Sequence, residues 1–173
     1  MSDITLVSGG RKSGKSDFAE HLASKYKNVT YVALSELRTE DEHWQKKIND
    51  HKSKRPSHWK LIETQNLINV LSSNREVLLI DSIGGFVSLS LQLEDNDWDK
   101  HLNFLIYSLL NYKNKIIIVA EQVGLGLVSE YKIGNLFADR LGGLLKEITI
   151  ISNENWLTIN GKAIRLDNLF YEI

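Results

Sequence analysis

The segment Gly9-Gly10-Arg11-Lys12-Ser13-Gly14-Lys15-Ser16 follows directly on the apolar run Ile4-Thr5-Leu6-Val7, and no other stretch constrains this chain as much. A strand ending near Val7, a glycine-rich turn and a helix opening near Lys15 aim several backbone N–H groups and the positive end of a helix at one point. That point is an anion site. Gly9 and Gly14 let the backbone bend closely around a phosphate, with Gly10, Arg11, Lys12 and Ser13 completing the cradle. Lys15 is suited to reach the terminal phosphates as a flexible point charge, and the Ser16 hydroxyl is suited to ligate a magnesium ion bridging two phosphates. A solvated Gly/Ser/Lys turn is the bland alternative, and the preceding strand argues against it.

A second run, Val77-Leu78-Leu79-Ile80, is continuously apolar, as in a strand buried on both faces, and it ends in Asp81. Asp81 is therefore a candidate magnesium carboxylate; the competing role is a side chain that caps a turn. Further strand-like runs lie at 29–33 and 116–119, with helical stretches between them. This alternation predicts a mostly parallel sheet flanked by helices, with ligands at the carboxyl ends of the strands, where Gly9, Asp81 and Gln122 would all lie. The fold class expected is α/β, a P-loop (RecA-like) sheet. Toward the C-terminus, 147–151 reads as β-rich. Trp156-Leu157-Thr158-Ile159 and Ala163-Ile164-Arg165-Leu166 flank Asn160-Gly161, the signature of a tight antiparallel hairpin at the sheet edge.

Two longer helices are expected. Over 40–54, Trp44, Ile48 and His51 fall near one face, and Pro56 ends the segment. Over 97–112, Leu102, Leu105, Ile106, Leu109 and Leu110 form a stripe that belongs to the core. The basic residues Lys46, Lys47, Lys52, Lys54 and Arg55 read as a solvated helix face that can also serve the site.

The length, 173 residues, suits one domain spanning 1–173. A net charge of -1 provides no overall basic field for nucleic acid or an anionic membrane, so phosphate affinity must be local. The absence of cysteine excludes disulfides, thiol catalysis and cysteine-based zinc sites, and it fits a reducing compartment. Asp3 precedes the first strand without a basic and apolar leader, and no apolar run reaches membrane-spanning length. The expectation is a cytoplasmic protein.

Taken in order, these segments resemble one family, the bifunctional adenosylcobinamide kinase and adenosylcobinamide-phosphate guanylyltransferase of cobalamin biosynthesis. The resemblance runs through Thr5 to Glu20, Tyr31-Val32-Ala33, Asp41-Glu42, Lys47-Ile48-Asn49-Asp50-His51 with Arg55-Pro56 and Trp59, Leu79-Ile80-Asp81, Val123 to Val128, and Phe137-Ala138-Asp139 with Gly142. The helix pattern Ile48-x-x-His51-x-x-x-Arg55-Pro56-x-x-Trp59 is more particular than the phosphate loop.

The resemblance implies phosphorylation of the aminopropanol hydroxyl of adenosylcobinamide, followed by GMP transfer from GTP through a guanylyl-histidine at His51. An imidazole with an ordinary pKa of roughly 6.5 is largely unprotonated at neutral pH, as a nucleophile must be. Lys47 and Arg55, one helical turn away on either side, would offset phosphate charge, and Glu63 joins the nucleotide-binding set. The implied cofactor is Mg2+ with GTP or ATP, the implied partner a corrinoid, and the implied assembly a homotrimer with a site completed between neighbours. Other histidines, His21, His43, His58 and His101, read as surface or structural. Departures from the family pattern fall at Gly84, Leu89, Glu121, Gln122, Leu145 and Lys146, positions that bear on base and corrinoid recognition. Two other readings stand beside the bifunctional enzyme: a small-molecule kinase in which Asp81 or Glu121 positions the accepting hydroxyl, and a non-catalytic GTP- or ATP-binding protein.

Overall fold

A computed structural model of the protein describes residues 2–34, 56–126, 128–167 and 169. Among the described residues seven strands form one sheet: β1 (Asp3–Gly9), β2 (Val29–Leu34), β3 (Lys60–Thr64), β4 (Val77–Asp81), β5 (Lys115–Glu121), β6 (Glu154–Ile159) and β7 (Lys162–Arg165). Their spatial order is β3-β2-β4-β5-β1-β6-β7. Every neighbouring pair is parallel except β6 with β7. The α/β sheet with a C-terminal antiparallel hairpin is the architecture the alternating apolar runs predict.

The helices are α1 (Lys15–Ala23), α2 (Leu67–Ser73), α3 (Gly84–Ser88), α4 (Asp95–Asn111) and α5 (Lys132–Ile151). On one face of the sheet, α1 packs Ala19 and Ala23 against Val7, Tyr31, Leu79, Ile117 and Val119. The other face carries α2 to α5 over Ile4, Leu6, Ile80, Ile116 and Ile118. Alternate residues of one strand therefore enter two separate cores, which is why the central strands are unbroken apolar runs rather than alternating ones.

Local chemistry fixes the helix ends. Asn66 caps α2 by accepting from the Asn69 backbone N–H at 3.0 Å. The first turn of α4 carries Asp95 and Asp97, which favour the positive end of that helix. Arg140 on α5 is buried and ties the connection before α4 through the carbonyls of Ser90 at 2.9 Å and Leu93 at 2.6 Å.

Two expectations are corrected, and one strand is not foreseen from the sequence. Residues 147–151 form the last turn of α5, because Leu141, Leu144, Leu145 and Ile148 continue one buried helical stripe past the Gly142-Gly143 pair. In α4, Leu105 and Leu109 are fully buried, whereas Leu110 is 48% exposed beyond the edge of the stripe. Strand β3 carries no apolar signal, since only its Ile62 packs against the core while Lys60, Leu61 and Glu63 are exposed. The helix expected over 40–54 lies outside the described residues.

Candidate functional site

Register places the strand ends that build the site. Gly9 at the end of β1 stands level with Glu121 at the end of β5, and Asp81 at the end of β4 stands level with Val119. The chain leaves β1 at Gly9 and begins α1 at Lys15, so the loop between them sits on the carboxyl edge of the sheet, as expected for an α/β ligand site.

Within the loop, Lys12 (φ 59) and Gly14 (φ 94) both adopt left-handed backbone. Gly14 is the N-cap of α1 and has no side chain with which to cap that helix. A helix that opens from a glycine-rich loop in this way is the arrangement that binds phosphate. The Gly10 carbonyl accepts from the Ser13 N–H at 3.2 Å and from the Lys15 ammonium at 3.1 Å. Lys15 thus lies folded over the cradle. Arg11 and Lys12 are exposed, and Ser16 is half-buried at the start of α1.

The loop is held from behind by the C-terminal hairpin, which sequence reasoning did not connect with it. Ser13 and Thr158 are both buried, with their hydroxyls 2.7 Å apart, and Thr158 Oγ1 also lies 3.2 Å from the Ser8 carbonyl. The Gly161 N–H donates to the Ser13 carbonyl at 2.9 Å. A Cβ at Gly9 would overlap Thr158 Oγ1 and come 2.7 Å from the Thr158 carbonyl, so only glycine admits this close approach. A polar residue on the loop side of a hairpin strand is the only trace of this contact in the sequence.

Asp81 is half-buried and accepts a hydrogen bond from the Tyr31 hydroxyl at 2.9 Å. Beside it, Ser82 donates to Glu121 Oε1. The same carboxylate fills the space above Gly84. The described residues contain no cluster of three or more His, Cys, Asp or Glu side chains able to cage a metal. A hydroxyl and a carboxylate, Ser16 and Asp81, are hard oxygen donors of the type magnesium takes when phosphates supply other ligands.

Glu63 is exposed near the end of β3, four strand spacings from β1. At ~4.8 Å per strand that is roughly 19 Å from the phosphate loop, so the two are not brought together within this chain. Lys47, His51 and Arg55 lie outside the described residues. Of the positions that depart from the family pattern, Leu145 is buried in the core and Lys146 is exposed on α5. Gly84 and Glu121 touch; Gln122 follows β5, its N–H donating to the Gly9 carbonyl at 2.9 Å.

A parallel sheet with a glycine-rich cradle between its first strand and first helix defines a P-loop nucleotide-binding protein. The fold resembles a solved structure of a protein from Pyrococcus horikoshii OT3, with a TM-score of 0.55 at 8% identity, covering 99% of this chain and 89% of that one. A family model described as cobinamide kinase / cobinamide phosphate guanyltransferase matches residues 5–166, and the chain belongs to this family of transferases. Its relatives include the bifunctional adenosylcobalamin biosynthesis protein CobU of Escherichia coli K12, 28% identical over 94% of this chain and 99% of that protein. The CobU protein of Salmonella typhimurium LT2 is 27% identical over the same shares. The CobP protein of Pseudomonas aeruginosa PAO1 is 30% identical over 93% of this chain and 95% of that one.

Proposed function

We propose that this chain, acting over 1–173 as one nucleotide-binding domain in the cytoplasm, phosphorylates adenosylcobinamide and then transfers GMP onto the phosphate. The observation that supports this most is the preformed phosphate cradle, with Asp81 at the end of β4 two strands away on the same sheet edge, in a chain whose residues 5–166 match the family model. No helix among the described residues is long and apolar enough to cross a membrane.

In the first reaction the substrate hydroxyl oxygen bonds to the γ-phosphorus of GTP or ATP, the bond to the β–γ bridging oxygen breaks, and the hydroxyl proton leaves to a carboxylate or water. The loop N–H groups and Lys15 hold the phosphates and offset charge on the departing diphosphate. In the second, a His51 ring nitrogen bonds to the α-phosphorus of GTP and pyrophosphate departs. The phosphate oxygen of the phosphorylated corrinoid then attacks the same phosphorus, breaking the P–N bond and returning His51. Lys47, Arg55 and Glu63 complete the nucleotide site, in a homotrimer that brings neighbouring chains together. Ser16 and Asp81 would hold a magnesium ion, which would supply neutralisation of phosphate charge.

Incubation with α-labelled GTP and magnesium, followed by mass mapping, tests nucleotide, metal and nucleophile together. Label on His51, lost in His51→Ala, is the expected result. Lys15→Ala weakens nucleotide binding, by about tenfold or more for a lost charge-assisted contact. Label persisting in His51→Ala defeats the assignment of the nucleophile.

A kinase-only reading draws support from the Glu121 carboxylate, held by Ser82 on the same strand edge and able to position an accepting hydroxyl. Transfer of the γ-phosphate without any covalent label selects it.

A further inference from the structure

We propose that Thr158, together with the Asn160-Gly161 turn, is a positioning residue that holds the phosphate loop in its anion-binding shape before nucleotide arrives. The inference rests on the nucleotide-binding reading above and extends it to the C-terminal hairpin, a part of the chain far from the motif in sequence.

Three buried groups form one directed chain. The Thr158 hydroxyl has a single hydrogen, which it gives to the Ser8 carbonyl at 3.2 Å, so at the 2.7 Å contact the Ser13 hydroxyl is the donor and Thr158 the acceptor. Ser13 is therefore tied backward to β6, away from the cradle. Its carbonyl is tied as well, to the Gly161 N–H at 2.9 Å. A trans peptide is planar with its C=O and N–H antiparallel, so turning the Ser13 carbonyl toward the hairpin turns the Gly14 N–H the opposite way. That N–H is one of the donors a phosphate would meet. The hairpin can stand this close because Gly14 itself has no side chain: a Cβ there would come 3.3 Å from the Gly161 Cα.

A loop fixed in its bound shape binds without first ordering itself, and that saving appears as affinity. Removing the Thr158 hydroxyl leaves Ser13 without its acceptor, so the free loop relaxes to another arrangement and binding must restore the first.

The test measures binding of GTP and of ATP with magnesium by calorimetry, alongside ligand-free Tm, for wild type, Thr158→Val and Thr158→Ser. Thr158→Val is expected to bind about tenfold more weakly, the equivalent of one lost buried hydrogen bond, while Thr158→Ser stays within about twofold of wild type. A Thr158→Val protein with lowered Tm but unchanged affinity overturns the proposal, because Thr158 would then serve only packing. Equal weakening in Val and Ser variants overturns it too, since the methyl group would then be what matters. If Thr158→Val does not fold, Ser13→Ala is measured instead; it severs the same tie while leaving Thr158 bonded to Ser8, and unchanged affinity there overturns the proposal. Wild-type protein that binds neither nucleotide refutes the functional reading itself, and the inference with it.

Discussion

Glu121 Oε2 occupies the space where the first side-chain atom of residue 84 would stand: a Cβ on Gly84 would overlap that oxygen and come 3.1 Å from Glu121 Cδ. The obstacle is the end of a flexible side chain, although moving it breaks the contact with Ser82. At the next position a Cβ on Gly85 would overlap the Leu34 carbonyl oxygen and stand 2.6 Å from the Leu34 Cβ, which cannot swing aside. Gly84→Ala should therefore cost about 1 kcal/mol in urea unfolding, and Gly85→Ala about 3 kcal/mol, in the upper range for overpacking. Combining Gly84→Ala with Glu121→Ala should cost less than the sum of the two single changes; strict additivity would refute the steric coupling.

Arg140 concentrates several contacts on one buried guanidinium. It donates to the carbonyls of Ser90 and Leu93, meets Asp95 at 3.2 Å and lies 5.0 Å from the Trp98 ring centroid. Arg140→Ala should lose about 3 kcal/mol of stability, because carbonyls satisfied by the guanidinium are left without donors. Arg140→Lys should recover only part of this, as one ammonium cannot span the same acceptors. A loss below about 1 kcal/mol would show the contacts to be incidental.

His101 stacks on Phe86 with ring centroids 4.5 Å apart, and burial lowers its pKa below the usual imidazole value of 6.5. Above that value the imidazole is neutral in both states and contributes its full share. As pH falls through 6.5 toward the lowered folded value, the unfolded chain takes up the proton first, so stability declines. Urea midpoints measured between pH 8 and pH 5 should fall less steeply on acidification in His101→Gln than in wild type, and identical slopes would remove His101 as a contributor.

Asn160 takes φ 51 and Gly161 φ 76 in the turn between β6 and β7. Two consecutive positive φ angles define the tight turn that Asn-Gly favours. Asn160→Val should destabilise by about 1–2 kcal/mol, since a β-branched side chain resists this conformation, and Asn160→Gly should be close to neutral. Circular-dichroism melts of the two variants check the ranking.

Patterns confined to a few neighbouring residues are legible in the chain's own order. Central strands buried on both faces declare themselves as unbroken apolar runs, as in Val77 to Ile80, and Asn160-Gly161 marks its turn by backbone chemistry alone. Residues 147–151 mislead because Ile148, Thr149, Ile150 and Ile151 are β-branched and read as strand, whereas packing of Leu144 and Ile148 in the core carries the helix through. Strand β3 is silent because an edge strand held by backbone pairing to β2 needs little apolar surface.

The phosphate cradle is written into adjacent residues, because φ > 0 at Gly14, a following helix and a preceding strand are all local properties. That Thr158 backs Ser13, that Tyr31 bonds Asp81 and that Glu121 lies over Gly84 follows only from the folded arrangement. Those partners are 145, 50 and 37 residues apart along the chain, the last from positions 84 and 121. Sheet order and register bring them together, and both arise from the burial of whole faces rather than from the identity of any single residue.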